Sequence, residues 1–308
     1  MEEDEIWLSE EEDEYEDEDF TDSSSFTMAL TYQGPPGEFR TRNRPGEIQR
    51  PHVSVFHAGP RRKSAFAVSC NATAMVHGLM GGESLKKATL LVYEFKFRSY
   101  RGARLKGADI TFEFQPQPGG TGRVEIVKVR PERPYTAQES EQTVGNGIKA
   151  GVNGGFMQAV GLELGAEHSV EKVAKFYTVV TGDRQQNDWG EYDQARFSLS
   201  ENKSQQDGIP STLTACILLE RDDEEFVCVP SISVEPDFRT TVATLFSTRD
   251  PDDPVYFDGN SPPFDRREQE NRIAIDPANL GATDLDQLWG FSMFHKYHGA
   301  ARSPKREE

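Results

Sequence analysis

From Thr89 to Gln115 apolar and polar side chains alternate with a period of two, twice over. Leu91, Tyr93, Phe95 and Phe97 share one parity, and Glu94, Lys96 and Arg98 share the other. After a basic connection, Ala108, Ile110, Phe112 and Phe114 alternate with Asp109, Thr111 and Glu113. Successive side chains of a strand point to opposite faces, so each half is a strand with one aromatic face. The pattern predicts a β-hairpin that is aromatic on its core side. Arg98, Arg101, Arg104 and Lys106 crowd its tip, with Gly102 and Gly107 as turn residues.

Similar segments recur at residues 52–57, 65–80, 122–129, 169–182, 196–201, 212–220 and 226–234. In the third of these, Val124, Ile126 and Lys128 are set against Arg123, Glu125 and Val127. The last two segments read as a second hairpin around Arg221–Glu225, and Pro230 marks its second arm as an edge strand or a bulge. Residues 142–165 are rich in Gly and Ala, with Lys149 and Glu163 as the charges of the Gly-rich part. They read as a pair of core strands whose glycines allow close packing of two sheets. The alternative is a membrane-inserting hairpin, against which stands the lack of about ten alternating bulky residues per strand.

Strands separated by turns, without helices between them, predict an all-β protein. The expected architecture is an antiparallel β-sandwich of about ten strands with short peripheral helices and disordered termini. Helical spacing over Asp237–Ser247 and an approximate capping box at Thr283–Asp286 mark the helices. The second leads into Leu285, Leu288 and Trp289, and the terminal aromatics there are expected to pack back on the sheet. Three regions follow: a tail and Pro/Arg-rich linker (1–50), the sandwich (51–248), and a loop-rich C-terminal extension (249–308).

The net charge of −18 changes the picture only once it is located. Residues 1–22 hold 14 acidic residues and no basic ones, leaving 34 basic against 38 acidic residues in the remainder. The acidity is a tail, and like charges at that density favour disorder. Between Lys86 and Arg133, by contrast, 11 basic residues face five acidic ones. A local positive field attracts phosphates of lipid or nucleic acid, and equally the chain's own acidic segment.

Three cysteines, Cys70, Cys216 and Cys228, show no metal-ligand spacing and point to a reducing compartment. Cys216 and Cys228 are expected near each other across the second hairpin, as small buried residues. The N-terminal sequence has no secretory pattern, and no apolar run is long enough for a membrane-spanning helix. A cytoplasmic or nuclear location is therefore expected. No nucleophile elbow, phosphate loop or dinucleotide fingerprint is present, so neither enzyme chemistry nor a cofactor is expected. His295 and His298 are the one histidine pair at metal-compatible spacing, without the further ligands a site needs. Two loops are rich in carboxylates: Asp183, Asp188, Glu191 and Asp193, and Asp250, Asp252, Asp253 and Asp258. Calcium-dependent C2 domains gather such groups at one end of a sandwich.

At VYEFKFRS, GADITFEF and ARFSLSENKSQQDGIPSTL the chain resembles a group of uncharacterised β-rich proteins of filamentous fungi. The resemblance implies a β-rich soluble protein over roughly residues 60–235 and supplies no activity. The expected function is a non-enzymatic intracellular binding protein. Arg98, Arg101, Arg104 and Lys106 form its contact face, masked by the acidic segment 2–22. Its partner is a protein or an anionic surface, either lipid head groups or nucleic acid. The alternative is a C2-like or pore-forming-like membrane binder that uses the Asp-rich loops or the Gly/Ala-rich stretch.

Overall fold

In the computed structural model the structure describes residues 41–58, 66–82, 84–99, 103–144, 172–237, 251–267 and 273–293. The described chain is all-β, with two antiparallel sheets packed face to face. The strands are β1 (His52–Ala58), β2 (Phe66–Gly81), β3 (Ser84–Ser99), β4 (Leu105–Pro116), β5 (Val124–Arg130), β6 (Tyr135–Val144) and β7 (Lys172–Gln186). They continue with β8 (Tyr192–Ser200), β9 (Thr212–Arg221), β10 (Glu225–Pro236), β11 (Val255–Asp258), β12 (Phe264–Asp265) and β13 (Gly290–Ser292). The first sheet runs β1-β2-β3-β9-β13, with β12 also on β2 and β5 also on β9; the second runs β11-β10-β4-β8-β7-β6.

The expected β3–β4 hairpin is not one. β3 pairs with β2 and β9, whereas β4 pairs with β10 and β8 in the opposite sheet. The connection after Ser99 crosses from sheet to sheet, so the two aromatic faces meet through the core rather than side by side. Tyr93 stacks on Phe112 at 4.6 Å with the ring planes 11° apart, and Phe95 lies 6.1 Å from Phe112. Alternation dictates which face a strand buries; it does not dictate the hydrogen-bond partner. The same correction applies to β9 and β10, which also lie in opposite sheets. Cys216 and Cys228 are both buried and free, but they do not face each other across a hairpin. Cys228 belongs to the core between the sheets, with Cys70, while Cys216 lies on the outer face of the first sheet.

The inner core collects Phe66, Val68 and Cys70 of β2, Leu91, Tyr93, Phe95 and Phe97 of β3, and Ile217 and Leu219 of β9. Opposite stand Ile110, Phe112 and Phe114 of β4, Phe197 of β8 and Phe226 of β10. A second cluster covers the other side of the first sheet. There Ala74, Val76, Leu90, Val92 and Leu218 pack under Leu280, Leu285 and Leu288 of the C-terminal segment. This explains the unbroken apolar run Leu90–Tyr93: the strand is buried on both faces. The C-terminal segment thus packs back on the sheet as expected, with Trp289 against the outer cluster and Phe291 against the inner core. Its helical elements are single 3-10 turns, Leu280–Ala282 and Leu285–Gln287, the latter capped by the Asp284 side chain. Residues 238–247 of the other expected helix lie outside the described residues.

Two bulges reset strand parity. One between Ala72 and Ala74 turns β2 so that Met75 faces the core. Another between Ile126 and Lys128 places Val129 in the core and leaves Lys128 exposed. Pro230 pairs with Phe112 without a bulge, and β11 covers β10 only from Glu225 to Cys228. Among the described residues the missing N–H therefore sits on a locally open edge, where proline costs no ladder bond. The Arg-rich sequence before β1 is stitched to the segment before β11. Asp252 accepts from the Thr41 N–H, Asp253 accepts from that of Asn43, and Arg50, 2% exposed, donates to Asn43, Val53 and Asp253.

Candidate functional site

The two ends of the sandwich differ. At one end lie the turns around Gly82, Gly119, Gly190 and Asp223; the register of β2–β3, β4–β10 and β7–β8 brings them together. Ion pairs between neighbouring turns close this end: Lys86–Glu220, Lys87–Glu224 at 2.9 Å and Arg123–Glu191 at 3.2 Å. Arg221 is buried beneath them, donating to Thr89 Oγ1, to the Asp223 carbonyl and to Glu224 Oε2. An open groove of about 510 Å³ lies here, lined by Gln117–Gly120, Asp223–Glu225, Asp258 and Asn260. Its carboxylates serve the protein itself: Asp223 accepts from the Gly122 N–H, and Asp258 caps Asn260.

The carboxylate-rich loops do not converge. Asp193 and Glu191 take the Asn187 amide, whereas Asp252 and Asp253 hold the segment before β1. Among the described residues no group of three or more His, Cys, Asp or Glu side chains is placed to hold a metal ion. His295, His298 and Asp250 lie outside the described residues.

The basic window also divides between the ends. Lys86, Lys87 and Arg123 belong to the closed end just described, and Lys96 and Arg130 pair with Glu94 and Asp286. Arg98, Arg104 and Lys106 lie at the opposite end, where β3 crosses to β4. Arg98 is exposed, Lys106 is half-buried, and Arg101 lies outside the described residues. Arg104 points into the structure: its Nε is 3.2 Å from Glu201 Oε2, and it donates to the Gln206 carbonyl and side chain. Glu201 is 8% exposed, and burial pushes its carboxyl above the ordinary range against the pull of Arg104. Arg104 thus tethers the loop that follows β8.

The other feature of this end is the β6–β7 ribbon. β8 accompanies β7 only as far as Ser200, opposite Val179. Beyond that point Lys172–Thr178 pairs with β6 alone among the strands described, down to Val144 opposite Lys172. Seven residues of strand carry the ribbon about 23 Å past the last β8 pair. At its root β6 is bulged between Ala137 and Ser140, with Gln138 at φ 52°. On its surface Lys175 donates to Glu139 at 2.6 Å, which holds the Glu139 carboxyl below its usual range. Most of the Gly/Ala-rich stretch, residues 145–165, lies outside the described residues, between the two strands of this ribbon.

Sequence reasoning missed the residue that binds the ribbon to the loop, Asn202, because ENKSQQDGIP reads simply as a turn. Asn202 is fully buried and contacts both ribbon strands. Two features near the core bear on stability rather than on the site. His77 is buried between Gln49 and Thr89, and burial together with Arg221 lowers it to about 4. Tyr93 and the three thiols are pushed up by burial, so none of them is poised to react.

No helix among the described residues is long and apolar enough to cross a membrane. No protein-family model and no curated protein matches the chain. Among solved structures, the Clostridium perfringens NetB toxin in the membrane inserted form aligns at 9% identity. That alignment covers 67% of this chain and 92% of the toxin chain, with a TM-score of 0.23, an overlap that bears on neither family nor function.

Proposed function

We propose that this chain is a non-enzymatic binding protein whose partner is an anionic lipid surface, and that the β6–β7 ribbon delivers the intervening sequence into that surface. The observation that carries the reading is the ribbon itself, which leaves the sandwich at the end that bears Arg98 and Lys106. Its position makes sense as a carrier of the sequence at its tip.

That sequence suits the role once it is counted in the ribbon's register. Val144 faces Lys172 and Thr143 faces Val173, so partners share parity. In sequence the even-numbered positions from 148 to 166 hold Ile148, Ala150, Val152, Phe156, Val160, Leu162, Leu164 and Ala166, interrupted by Gly154 and Gln158. The odd-numbered positions between them hold Lys149, Asn153 and Glu163 with Gly151, Gly155, Gly161 and Gly165, besides Met157 and Ala159. Ile148–Phe156 supplies nine residues on the outgoing arm, close to the roughly 9–11 that a tilted membrane strand needs. In this reading the acidic segment 2–22 competes with lipid for the cations Arg98 and Lys106.

Flotation with neutral and with anionic vesicles at low salt tests the reading. The full chain floats with anionic vesicles alone, the bound fraction falls as salt rises, and deleting residues 1–25 raises it. Equal flotation with both vesicle types, or none with either, overturns the lipid reading. A truncated chain that binds no better than the full one overturns the competition.

A further inference from the structure

At the root of the ribbon one side chain bridges the loop after β8 to both ribbon strands. Asn202 lies just past the end of β8, where the chain turns away and the Glu201 N–H bonds to the Lys106 carbonyl. Its side chain continues what β8 began. Nδ2 donates to the Phe176 carbonyl of β7 at 3.1 Å and to the Gln138 carbonyl of β6, and Oδ1 accepts from the Ser140 hydroxyl at 3.1 Å. Oδ1 also accepts from the Ser204 and Gln205 N–H groups at 2.9 and 3.2 Å, folding the loop around it. Both amide hydrogens and the carbonyl are thereby used, in a site with no solvent to replace them. The contact falls on the β6 bulge, at the left-handed Gln138, whose side chain takes the Thr178 hydroxyl.

We propose that Asn202 is a clasp that fixes the β6–β7 ribbon to the sandwich, and that its release governs how readily the ribbon leaves its resting position. The clasp reaches the basic end through its neighbours. Glu201 pairs with Arg104, and the Asn202 carbonyl accepts from Gln206, whose own carbonyl and side chain accept from Arg104. An anionic head group that draws Arg104 away from Glu201 therefore loosens the loop that presents Asn202. This deepens the reading of the ribbon as a membrane-directed element and rests on it.

The test is amide hydrogen exchange of the full chain, wild type against Asn202→Asp and Ser140→Ala, paired with dye release from anionic vesicles. Asn202→Asp keeps Oδ1 for the Ser204 and Gln205 N–H groups but sets a carboxylate against two carbonyls. Its expected effect is at least about tenfold faster exchange in Tyr135–Val144 and Lys172–Thr178, with β3 and β9 unchanged. Ser140→Ala shows a smaller rise in the same peptides, and dye release accelerates in the same order. Unchanged ribbon exchange in Asn202→Asp overturns the clasp. So does an equal rise in β3 and β9, which makes Asn202 a residue of the fold at large. Wild-type protein that releases no dye contradicts the membrane reading, and the exchange result then decides the clasp separately.

Discussion

Two chain reversals separate what holds this protein together from what, in the proposed function, it deploys. β3 and β4 are joined by a crossing between sheets, and their aromatic faces stack on each other through the core. β6 and β7 pair antiparallel within one sheet and run out past their neighbour β8. The first reversal joins two strands whose apolar faces are buried against each other. Among the described residues the second is secured by backbone pairing, one exposed ion pair and the proposed clasp at its root, the kind of element that opens at low cost. Burial decides which part is permanent.

The largest effect that sharpens this contrast is in the crossing. Phe112→Ala removes a fully buried ring that stacks on Tyr93, and is expected to cost about 3–5 kcal/mol in urea unfolding. A loss below about 1 kcal/mol breaks the account of the crossing as core.

Next is a pH effect confined to the packed region. His77 accepts from the Gln49 amide and donates to Thr89 Oγ1, which also takes Arg221, so a second ring proton has no acceptor. Its folded value of about 4 lies below the ordinary value of 6.5, so the unfolded chain takes the proton first. The stability this contributes is complete above pH 6.5 and is lost as pH falls toward 4, about 3 kcal/mol in all. Unfolding free energies across that range show the slope in wild type, and His77→Gln flattens it. A variant profile parallel to wild type contradicts the assignment.

The smallest effect is on the ribbon. Lys175→Ala breaks an exposed pair with Glu139 and is expected to change global stability by less than about 0.5 kcal/mol. A larger loss places the ribbon among the elements that hold the fold.

The strands were legible because their signals are local: period-two alternation in the two halves of 89–115, and charge-poor apolar runs at 65–80 and 212–220. Partner choice was not, since Tyr93 with Phe112 reads the same whether the strands lie side by side or face to face. Burial on both faces at Leu90 and Leu91 was also hidden, because its cover, Leu280 to Leu288, comes from a loop-like sequence almost 200 positions away. Bulges at Ala72–Ala74 and Ile126–Lys128 shift parity without any glycine or proline at the point of change. At the site, Arg98 and Lys106 were readable as charge. The partner that turns Arg104 inward, Glu201, sits 97 residues on, beyond any spacing rule. Asn202 carried one faint signal: an Asx-type turn is where a buried amide that needs several partners is found.

The ribbon's proposed delivery of its intervening sequence into lipid is the central claim, and the alternation of apolar positions in that sequence makes a prediction at single-residue resolution. The three native thiols are buried, so single cysteines placed at Val152, Asn153 or Phe156 accept an environment-sensitive fluorophore selectively. On addition of anionic vesicles, emission at positions 152 and 156 shifts to the blue while that at 153 remains as in water. Equal shifts at all three positions, or no shift at any, contradict the account.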